Sequence, residues 1–315
     1  MEYNKERIAI LLATYNGERF LREQLESLLG QTYTNWICYI HDDGSNDQTV
    51  SIAKEFCEKY PYHFVIINGP SCGGAKNNFM FLLSEVKEEY IAFCDQDDYW
   101  LPEKLSETYK LIKMDEDRKK PTAVFSDLKV VNENLELISD SFFLYSGKNS
   151  SRLNYKQILI QNFVPGCTML INRKAVDLGL KYRNIENLYM HDWWLMIICA
   201  LMGKIHATNS SLILYRQHGD NSVGADKKLS TWDVLRHIWQ TVFGKHKEEI
   251  YRRILIPRRF AEELKNLDGI SEKDRKFLDE FSNLKKKNKC ERILFYIRNK
   301  LFRSNHRNFF MLFFV

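Results

Sequence analysis

Apolar and polar residues alternate regularly along the first hundred positions of the chain. Short apolar runs of strand length lie at residues 8–13, 36–40, 64–67 and 90–94. The stretches between them carry apolar side chains at helical spacing, at residues 18–30, 47–60 and 75–86. Continuous apolar runs are typical of strands that are buried on both faces. The pattern therefore predicts a doubly wound, mostly parallel α/β sheet.

Three of the predicted strands end in polar loops. The loops are Thr14-Tyr15-Asn16, Asp42-Asp43-Gly44-Ser45 and Asp95-Gln96-Asp97-Asp98. In doubly wound sheets, ligands bind at the carboxyl ends of the strands. We therefore expect the three loops to converge on one ligand-binding crevice.

The third loop concentrates negative charge. Its three carboxylates fall within four consecutive positions, and such a cluster repels itself unless a cation binds there. Hard divalent ions prefer oxygen ligands, so the loop is a predicted metal site. The alternative is that the carboxylates cap a helix beginning at Pro102, although one carboxylate suffices for a cap.

The rest of the chain follows a less regular pattern. Residues 103–115 and 188–202 are predicted helices, residues 140–153 a loop, and the chain from about residue 230 onward is helical and basic. Predicted strands cover residues 123–126, 129–138, 164–171 and 212–215. Trp100, Trp193 and Trp194 are expected in the core, with stacking of Trp193 or Trp194 on a sugar left open. Lys104 and Arg19 are expected on solvated helix faces.

Charge and cysteine content narrow the class of protein. The net formal charge is +5, but residues 221–315 alone hold 22 Lys and Arg against 12 Asp and Glu. The seven cysteines form no CxxC pair, which favours a reducing cytosol over disulfides or a zinc ribbon. The polar N-terminus shows no signal peptide, and no apolar run approaches the roughly 18 residues of a spanning helix. We therefore expect a cytoplasmic protein, with attachment to the inner face of the membrane left open.

Several motifs occur in a recognisable order. They are Ala13-Thr-Tyr-Asn-Gly, Asp42-Asp-Gly-Ser, Asp95-Gln-Asp-Asp-Tyr-Trp-Leu-Pro-Glu-Lys104, Pro165-Gly-Cys-Thr-Met-Leu-Ile-Asn, His191-Asp-Trp-Trp and Tyr215-Arg-Gln-His-Gly-Asp-Asn. This series resembles the family 2 glycosyltransferases, most closely their bacterial rhamnosyltransferase-like branch. The resemblance implies a GT-A fold, a nucleotide-sugar donor, and Mn²⁺ or Mg²⁺ as cofactor. We place a GT-A catalytic domain at residues 1–225 and a helical, basic extension at residues 226–315.

The resemblance also implies roles for the acidic loop and its neighbours. Asp97 matches the metal-binding position of the family, and Asp95 matches the other arm of its DxD motif. Asp98 is expected to contact the donor or to hold the loop. His218 lies where members often supply a further metal ligand or a phosphate contact, with a merely solvated histidine as the alternative. Arg216 is a candidate phosphate contact.

Donor binding and proton transfer are assigned to other positions by the same resemblance. Thr14, Tyr15, Asn16, Asp42 and Asp43 match positions that hold the nucleotide base and ribose. Asp42 is our choice for the acceptor of the base N3–H, and an Asx-type turn is the alternative.

Asp192 matches the catalytic base of inverting members, with simple N-capping as the alternative. A helix N-terminus lowers the basicity of a carboxylate, whereas burial against Trp193 and Trp194 raises it. His191 is expected to pack rather than react.

The basic C-terminal segment mixes charge with apolar residues. Lys285–Lys289, residues 292–303 and Phe309–Val315 together suit an interfacial helix on an anionic membrane. The alternative is a helix packed on the catalytic domain with a solvated basic face. No nucleic-acid-binding motif accompanies the charge, so nucleic acid is not an expected partner.

The sequence therefore predicts an inverting, metal-dependent glycosyltransferase of bacterial surface polysaccharide synthesis. By resemblance, the donor is dTDP-rhamnose and the acceptor a lipid-linked saccharide. Three alternatives remain at this point: a UDP-hexose donor on the same fold, a nucleotidyltransferase, and a non-catalytic nucleotide-binding scaffold.

Overall fold

The computed structural model describes residues 6–181, 188–219 and 247–302, without the side chains of 247–253. The predicted alternation of strands and helices is confirmed in the first hundred residues. The elements are β1 (Ile8–Thr14), α1 (Leu21–Leu29), β2 (Trp36–Asp42), α2 (Thr49–Lys59), β3 (Phe64–Ile66), α3 (Ala75–Glu85) and β4 (Tyr90–Cys94).

The second part of the sheet domain alternates less regularly. It comprises β5 (Tyr99–Trp100), α4 (Lys104–Lys113), β6 (Thr122–Val131), β7 (Leu137–Ser139), α5 (Phe142–Ser146), α6 (Tyr155–Ile160), β8 (Met169–Asn172), α7 (Arg173–Lys181), α8 (His191–Met202) and β9 (Lys204–Arg216). A short 3-10 turn, Gly166–Thr168, precedes β8.

The strands form one sheet in the order β3-β2-β1-β4-β8-β6-β9-β5, with β7 paired to β6. The first four strands pair in parallel, as predicted. β8 runs antiparallel to β4 and to β6, so the sheet becomes mixed beyond its centre. β1 and β4 lie side by side in the parallel half and are buried on both faces, which explains their unbroken apolar runs.

Register brings the polar loops together. Thr14 stands opposite Asp42 across β1 and β2, and Leu12 stands opposite Cys94 across β1 and β4. Because these pairs end parallel neighbouring strands, the residues that follow them leave the sheet at one edge.

Several short elements differ from the sequence prediction. The predicted loop at 140–153 contains α5, which Ser141 caps by accepting a hydrogen bond from the Leu144 N–H. The predicted strand at 164–171 begins instead with the 3-10 turn that follows Pro165. The two-residue strand β5 and the helices α6 and α7 were not predicted, since segments this short carry little periodicity.

Three C-terminal helices pack against the sheet domain. They are α9 (Lys247–Leu264), α10 (Glu272–Ser282) and α11 (Lys289–Arg298). The Phe260 ring of α9 lies 5.1 Å from the ring of Trp193, between centroids. The Tyr155 hydroxyl donates to Asp274 Oδ1 of α10 at 2.6 Å.

For these helices, packing on the sheet domain is therefore the observed arrangement. Residues 226–246 and 303–315, including Phe309–Val315, lie outside the described residues, and a domain boundary near residue 225 stays a prediction. Among the described residues, no helix is long and apolar enough to cross a membrane.

Candidate active site

The three polar loops meet at one edge of the sheet. The Thr14 hydroxyl donates to Asp42 Oδ2 at 2.8 Å. The Tyr15 N–H donates to Gln96 Oε1 at 2.9 Å, and Gln96 Nε2 donates back to the Tyr15 carbonyl at 3.0 Å. These bonds join the first loop to each of the other two, so the predicted convergence is observed.

Asp42 is held by four protein donors. Its Oδ1 accepts from the N–H groups of Gly44 at 3.0 Å and Ser45 at 2.7 Å. Its Oδ2 accepts from the hydroxyls of Thr14 at 2.8 Å and Ser45 at 2.6 Å. A carboxylate has about four acceptor positions, and these four bonds occupy them. The bond from the Gly44 N–H, two residues further on, forms the Asx-type turn. Recognition of a nucleotide base by Asp42 stays a prediction.

Asp43 anchors the loop that enters α3. Its carboxylate accepts from the N–H of Cys72, from Gly73 at 3.0 Å and from Gly74 at 2.6 Å. Burial alone raises the pKa of Asp43, but these backbone donors together hold it below its ordinary value. Gly73 and Gly74 both have positive φ, at 75° and 122°, which only glycine adopts readily. No pattern in the sequence indicated this contact.

Asn16 belongs to the same edge of the sheet. It has a φ of 45°, and its side-chain oxygen accepts from the Asn46 N–H at 2.9 Å. The ring of Tyr15 beside it is 54% exposed and available to a ligand.

Asp97 and His218 form the pair that best suits a metal ion. Asp97 Oδ2 lies 2.8 Å from His218 Nε2, and the imidazole packs on Phe20 at 4.9 Å between centroids. Two ligand atoms of one octahedral ion are separated by about 3 Å, so this carboxylate and imidazole are spaced for a shared cation. The carboxylate oxygen suits Mn²⁺ and Mg²⁺, whereas an imidazole nitrogen is a more usual ligand of Zn²⁺, Cu, Fe and Ni.

The surroundings of Asp95 and Asp98 disfavour the charged forms of both carboxyl groups. Burial, followed by repulsion from Asp97 and Asp192, raises the pKa of Asp95 to about 7. Burial also raises the pKa of Asp98, ahead of repulsion from Asp97 and Asp95.

None of the three acidic residues of this loop caps a helix. α4 begins at Lys104, and its N-cap residue, Glu103, makes no side-chain capping bond. The helix-capping alternative is therefore wrong.

Arg216 ties the acidic loop to the rest of the domain. Its Nε donates to the Asp97 carbonyl at 2.9 Å, and its Nη2 donates to Glu23 Oε2 at 2.5 Å. Its Nη1 donates to the Glu133 carbonyl, and its backbone N–H donates to Asp98 Oδ1 at 3.2 Å. The guanidinium is thus engaged with the protein, and a phosphate contact by Arg216 stays a prediction.

Lys104 corrects an expectation from the sequence. It is fully buried rather than solvated, and its Nζ lies 3.4 Å from the centroid of the Trp100 ring. Burial lowers the pKa of Lys104 to about 8. Arg19, in contrast, is exposed and pairs with Glu133, as expected.

Asp192 lies in the first turn of α8, and it is a buried carboxylate. Burial raises its pKa to about 6, although the N–H of Trp193 and the amide of Asn162 act in the opposite direction. The N-cap residue is Met190, which makes no side-chain capping bond, so Asp192 is not the cap. Of the two opposing effects expected from the sequence, burial therefore outweighs the helix terminus.

Asn162 positions Asp192 and was missed in the sequence. Its Nδ2 donates to Asp192 Oδ2 at 3.1 Å and to the Val164 carbonyl at 3.0 Å. Its Oδ1 accepts from the Val164 N–H at 3.1 Å, which fixes the amide in place. Gly166 packs closely against Asp192, since a Cβ at position 166 would approach the Asp192 Cβ to 3.3 Å.

His191 and the tryptophans belong to the core. The His191 ring packs 4.3 Å from Phe79 and 4.9 Å from Phe93, and burial lowers its pKa to about 3. Trp193 and Trp194 are buried and donate to the carbonyls of Ile158 and Gly179. Stacking of either tryptophan on a sugar is thereby excluded in this conformation.

Comparisons with known proteins agree on one family. The family model described as glycosyl transferase family 2 matches residues 9–179. The dTDP-rhamnosyl transferase RfbG of Shigella flexneri is 29% identical over 72% of this chain and 80% of its own. An uncharacterised glycosyltransferase of Rickettsia felis is also 29% identical, over 77% of this chain and 39% of its own.

Solved structures share the fold at low sequence identity. Residues 1–349 of S. aureus TarS superpose with a TM-score of 0.54 at 18% identity, over 89% of this chain and 72% of that one. The mannosyltransferase PcManGT of Pyrobaculum calidifontis, solved with GDP-Man and Mn²⁺, has a TM-score of 0.52 at 13% identity, over 94% and 76%. Both are GT-A glycosyltransferases, so the predicted fold class is confirmed.

Proposed function

The chain belongs to glycosyl transferase family 2 and is a glycosyltransferase, and we propose that it is an inverting, metal-dependent enzyme that transfers rhamnose from dTDP-rhamnose. The observation that carries the proposal is the arrangement of two kinds of carboxylate at one sheet edge. Asp97 pairs with His218, while Asp192 lies near enough to Asp95 to raise its pKa. The choice of rhamnose rests on the similarity to a relative named as a dTDP-rhamnosyl transferase.

Asp95, Asp97 and His218 would hold Mn²⁺ or Mg²⁺, which when bound neutralises the diphosphate leaving group of the donor. Neighbouring residues hold the members of this ligand set in position. Arg216 holds the Asp97 carbonyl, and Phe20 supports the imidazole. The first two loops, with Asp42 and Asp43 as their internal anchors, present Tyr15 and Asn16 to the nucleotide.

Asp192 is the proposed base for the acceptor hydroxyl. With a pKa of about 6 it is ionised at neutral pH, yet it is more basic than an exposed carboxylate. Asn162 donates to one lone pair of Asp192 Oδ2. The position of its amide therefore determines which lone pairs of Asp192 remain to accept the proton. A base held on a different element from the metal ligands suits in-line attack opposite the leaving group, which inverts the anomeric carbon.

We propose a lipid-linked saccharide as acceptor, presented at an anionic membrane surface. Leu294 and Ile297 of α11 are 60% and 48% exposed and lie three positions apart on one helix. Lys285 and Lys286, in the turn before α11, and Lys289, at its start, are also exposed. Exposed apolar and basic side chains in one segment are the composition of interfacial helices.

A donor screen with product identification tests the function. The protein is incubated with dTDP-rhamnose, UDP-glucose or UDP-galactose and Mn²⁺, and the phosphorylated product is identified. A nucleoside diphosphate is the expected product, whereas pyrophosphate identifies a nucleotidyltransferase. Turnover with a UDP-hexose but not with dTDP-rhamnose refutes the donor assignment. Absence of turnover with every donor, together with thermal stabilisation by the nucleotide sugars, supports a non-catalytic nucleotide-binding scaffold.

Two variants test the division of labour. Asp97→Asn should abolish transfer at limiting Mn²⁺ and weaken Mn²⁺ binding, since it removes a charged ligand. Asp192→Asn should lower turnover by at least about tenfold with Mn²⁺ binding unchanged. Asp177→Asn, an exposed carboxylate on α7, is the matched control. Near-wild-type turnover in Asp97→Asn, or in Asp192→Asn, refutes the corresponding role.

A further inference from the structure

A thiol lies against the carboxylates of the acidic loop. Cys167, in the 3-10 turn before β8, places its Sγ in a group with one carboxylate oxygen each of Asp95 and Asp98. The three atoms lie within 4.8 Å of one another. Cys167 is 1% exposed and Asp98 is fully buried, whereas Asp95 is partly accessible to solvent. An ion can therefore reach the group from the Asp95 side.

Asp98 brings an unused ligand atom to this group. Its Oδ1 accepts from the Arg216 N–H, but its Oδ2 makes no hydrogen bond in the described part of the chain. The buried Nζ of Lys104 does not fill this place, because it too lacks a hydrogen-bond partner among the described residues. Leaving a buried acceptor unsatisfied is costly, and the cost is larger for a charged group. A bound cation relieves this cost.

We propose that Asp95, Asp98 and Cys167 form a second metal site, which takes thiophilic ions such as Zn²⁺ and Cd²⁺ rather than Mn²⁺ or Mg²⁺. Thiolate and carboxylate are both established zinc ligands, and a tetrahedral site separates them by about 3.5 Å. The three atoms lie within 4.8 Å of one another, so a modest closing of the group brings them to this spacing. Mg²⁺ and Mn²⁺ favour oxygen donors and gain little from the sulfur.

Binding exchanges the proton of the Cys167 thiol for the metal ion. The Cys167 S–H bond breaks, its electron pair forms the sulfur–metal bond, and the proton leaves to solvent. No oxidant or reductant takes part. Burial keeps the pKa of the free thiol well above its ordinary value, and a bound metal ion overcomes this by stabilising the thiolate.

The site shares Asp95 with the proposed Mn²⁺ site, and this consequence rests on the proposed function. An ion held by Cys167 and Asp98 withdraws Asp95 from the set that includes Asp97 and His218. Zn²⁺ or Cd²⁺ is therefore expected to inhibit transfer even when Mn²⁺ is present.

Titration with Cd²⁺ tests the site without any assay of transfer. Cadmium bound to thiolate gives an ultraviolet charge-transfer band, which we expect at one equivalent in the full-length protein. Cys72→Ser/Cys290→Ser, which removes two more accessible thiols, is the background and the matched control, and it should keep the band. Adding Cys167→Ser or Cys167→Ala should abolish the band or weaken Cd²⁺ binding at least tenfold. Both replacements of Cys167 are made, so that the test remains valid if one of the two variants does not fold.

Asp97→Asn separates the two sites in the same titration. This variant should lose stabilisation by Mn²⁺ but retain the cadmium band, because Asp97 is not in the sulfur group. A band that survives both Cys167 replacements in folded protein overturns the proposal. So does loss of the band in Asp97→Asn, since thiolate-bound Cd²⁺ would then depend on Asp97 and the two sites would not be separate. Failure of the donor screen leaves this test unaffected.

Discussion

Replacing Asn162 with alanine should move the acid limb of the pH profile of transfer to higher pH. The amide donates to Asp192 Oδ2 at 3.1 Å, and a hydrogen bond to a charged group contributes about 1.5–3 kcal/mol. One pKa unit corresponds to about 1.4 kcal/mol, so losing the bond raises the Asp192 pKa by about one to two units. From a starting pKa of about 6, the acid limb should then lie between about pH 7 and 8.

The other charged groups around Asp192 do not change in this variant. Lys148 lowers the pKa of Asp192, and Asp95 and Asp192 repel each other. His191 is uncharged over the whole range, because its pKa is about 3. A shift of the limb therefore reports the loss of the amide itself.

The assay is kcat/KM for transfer between pH 5.5 and 9 with saturating Mn²⁺. At about pH 6.5, activity should fall roughly three- to twenty-five-fold for a pKa of about 7 to 8, because only the ionised carboxylate accepts a proton, and at pH 9 it should stay within about twofold. Asn154→Ala is the matched control, since it removes one hydrogen bond, to the Lys156 N–H, at the start of α6. An equal loss at every pH in Asn162→Ala, as a purely structural defect would produce, refutes this reasoning.

Three further predictions concern stability. Asp43→Ala should lower the free energy of unfolding by about 2 kcal/mol in urea titrations, because the donors of residues 72–74 lose their acceptor. A smaller loss of stability in Asp43→Ala than in Asp43→Asn would contradict this prediction. Lys104 has a pKa of about 8 when folded, below its unfolded value, so stability should rise between about pH 8 and 10. Lys104→Met should remove that rise, and a rise that persists in the variant assigns it to another group. Asp192 has a folded pKa of about 6, above its unfolded value, so its charge costs stability as pH rises from about 4 to 6. Asp192→Asn should therefore be more stable at pH 8 by roughly 2–3 kcal/mol, and an unchanged melting temperature would count against this.

The sequence was informative wherever burial on two faces or a strand end dictated residue type. β1 and β4 are fully apolar because helices cover both sides of the sheet, and their bounds were predicted to within a residue. Their polar ends follow from parallel pairing, which brings Thr14 and Asp42 into register. Elements of this kind can be predicted because the pattern and the structure have the same cause.

Contacts between distant residues could not be predicted in the same way. Asn162 reaches Asp192 from 30 positions away, and Asp43 meets residues 72–74 through backbone donors that any sequence possesses. Lys104 falls at a position that local spacing assigns to solvent, yet the fold covers it and sets it over Trp100. Such placements depend on how elements pack.

The guanidinium of Arg216 has a consequence for the order in which the enzyme is made. It joins the Asp97 carbonyl, 119 positions earlier, to Glu23, 193 positions earlier. At ribosomal speeds of about 5–20 residues per second, the acidic loop emerges on the order of ten seconds before the side chain that secures it. A nascent chain that ends before position 216 therefore lacks the side chain that secures the acidic loop.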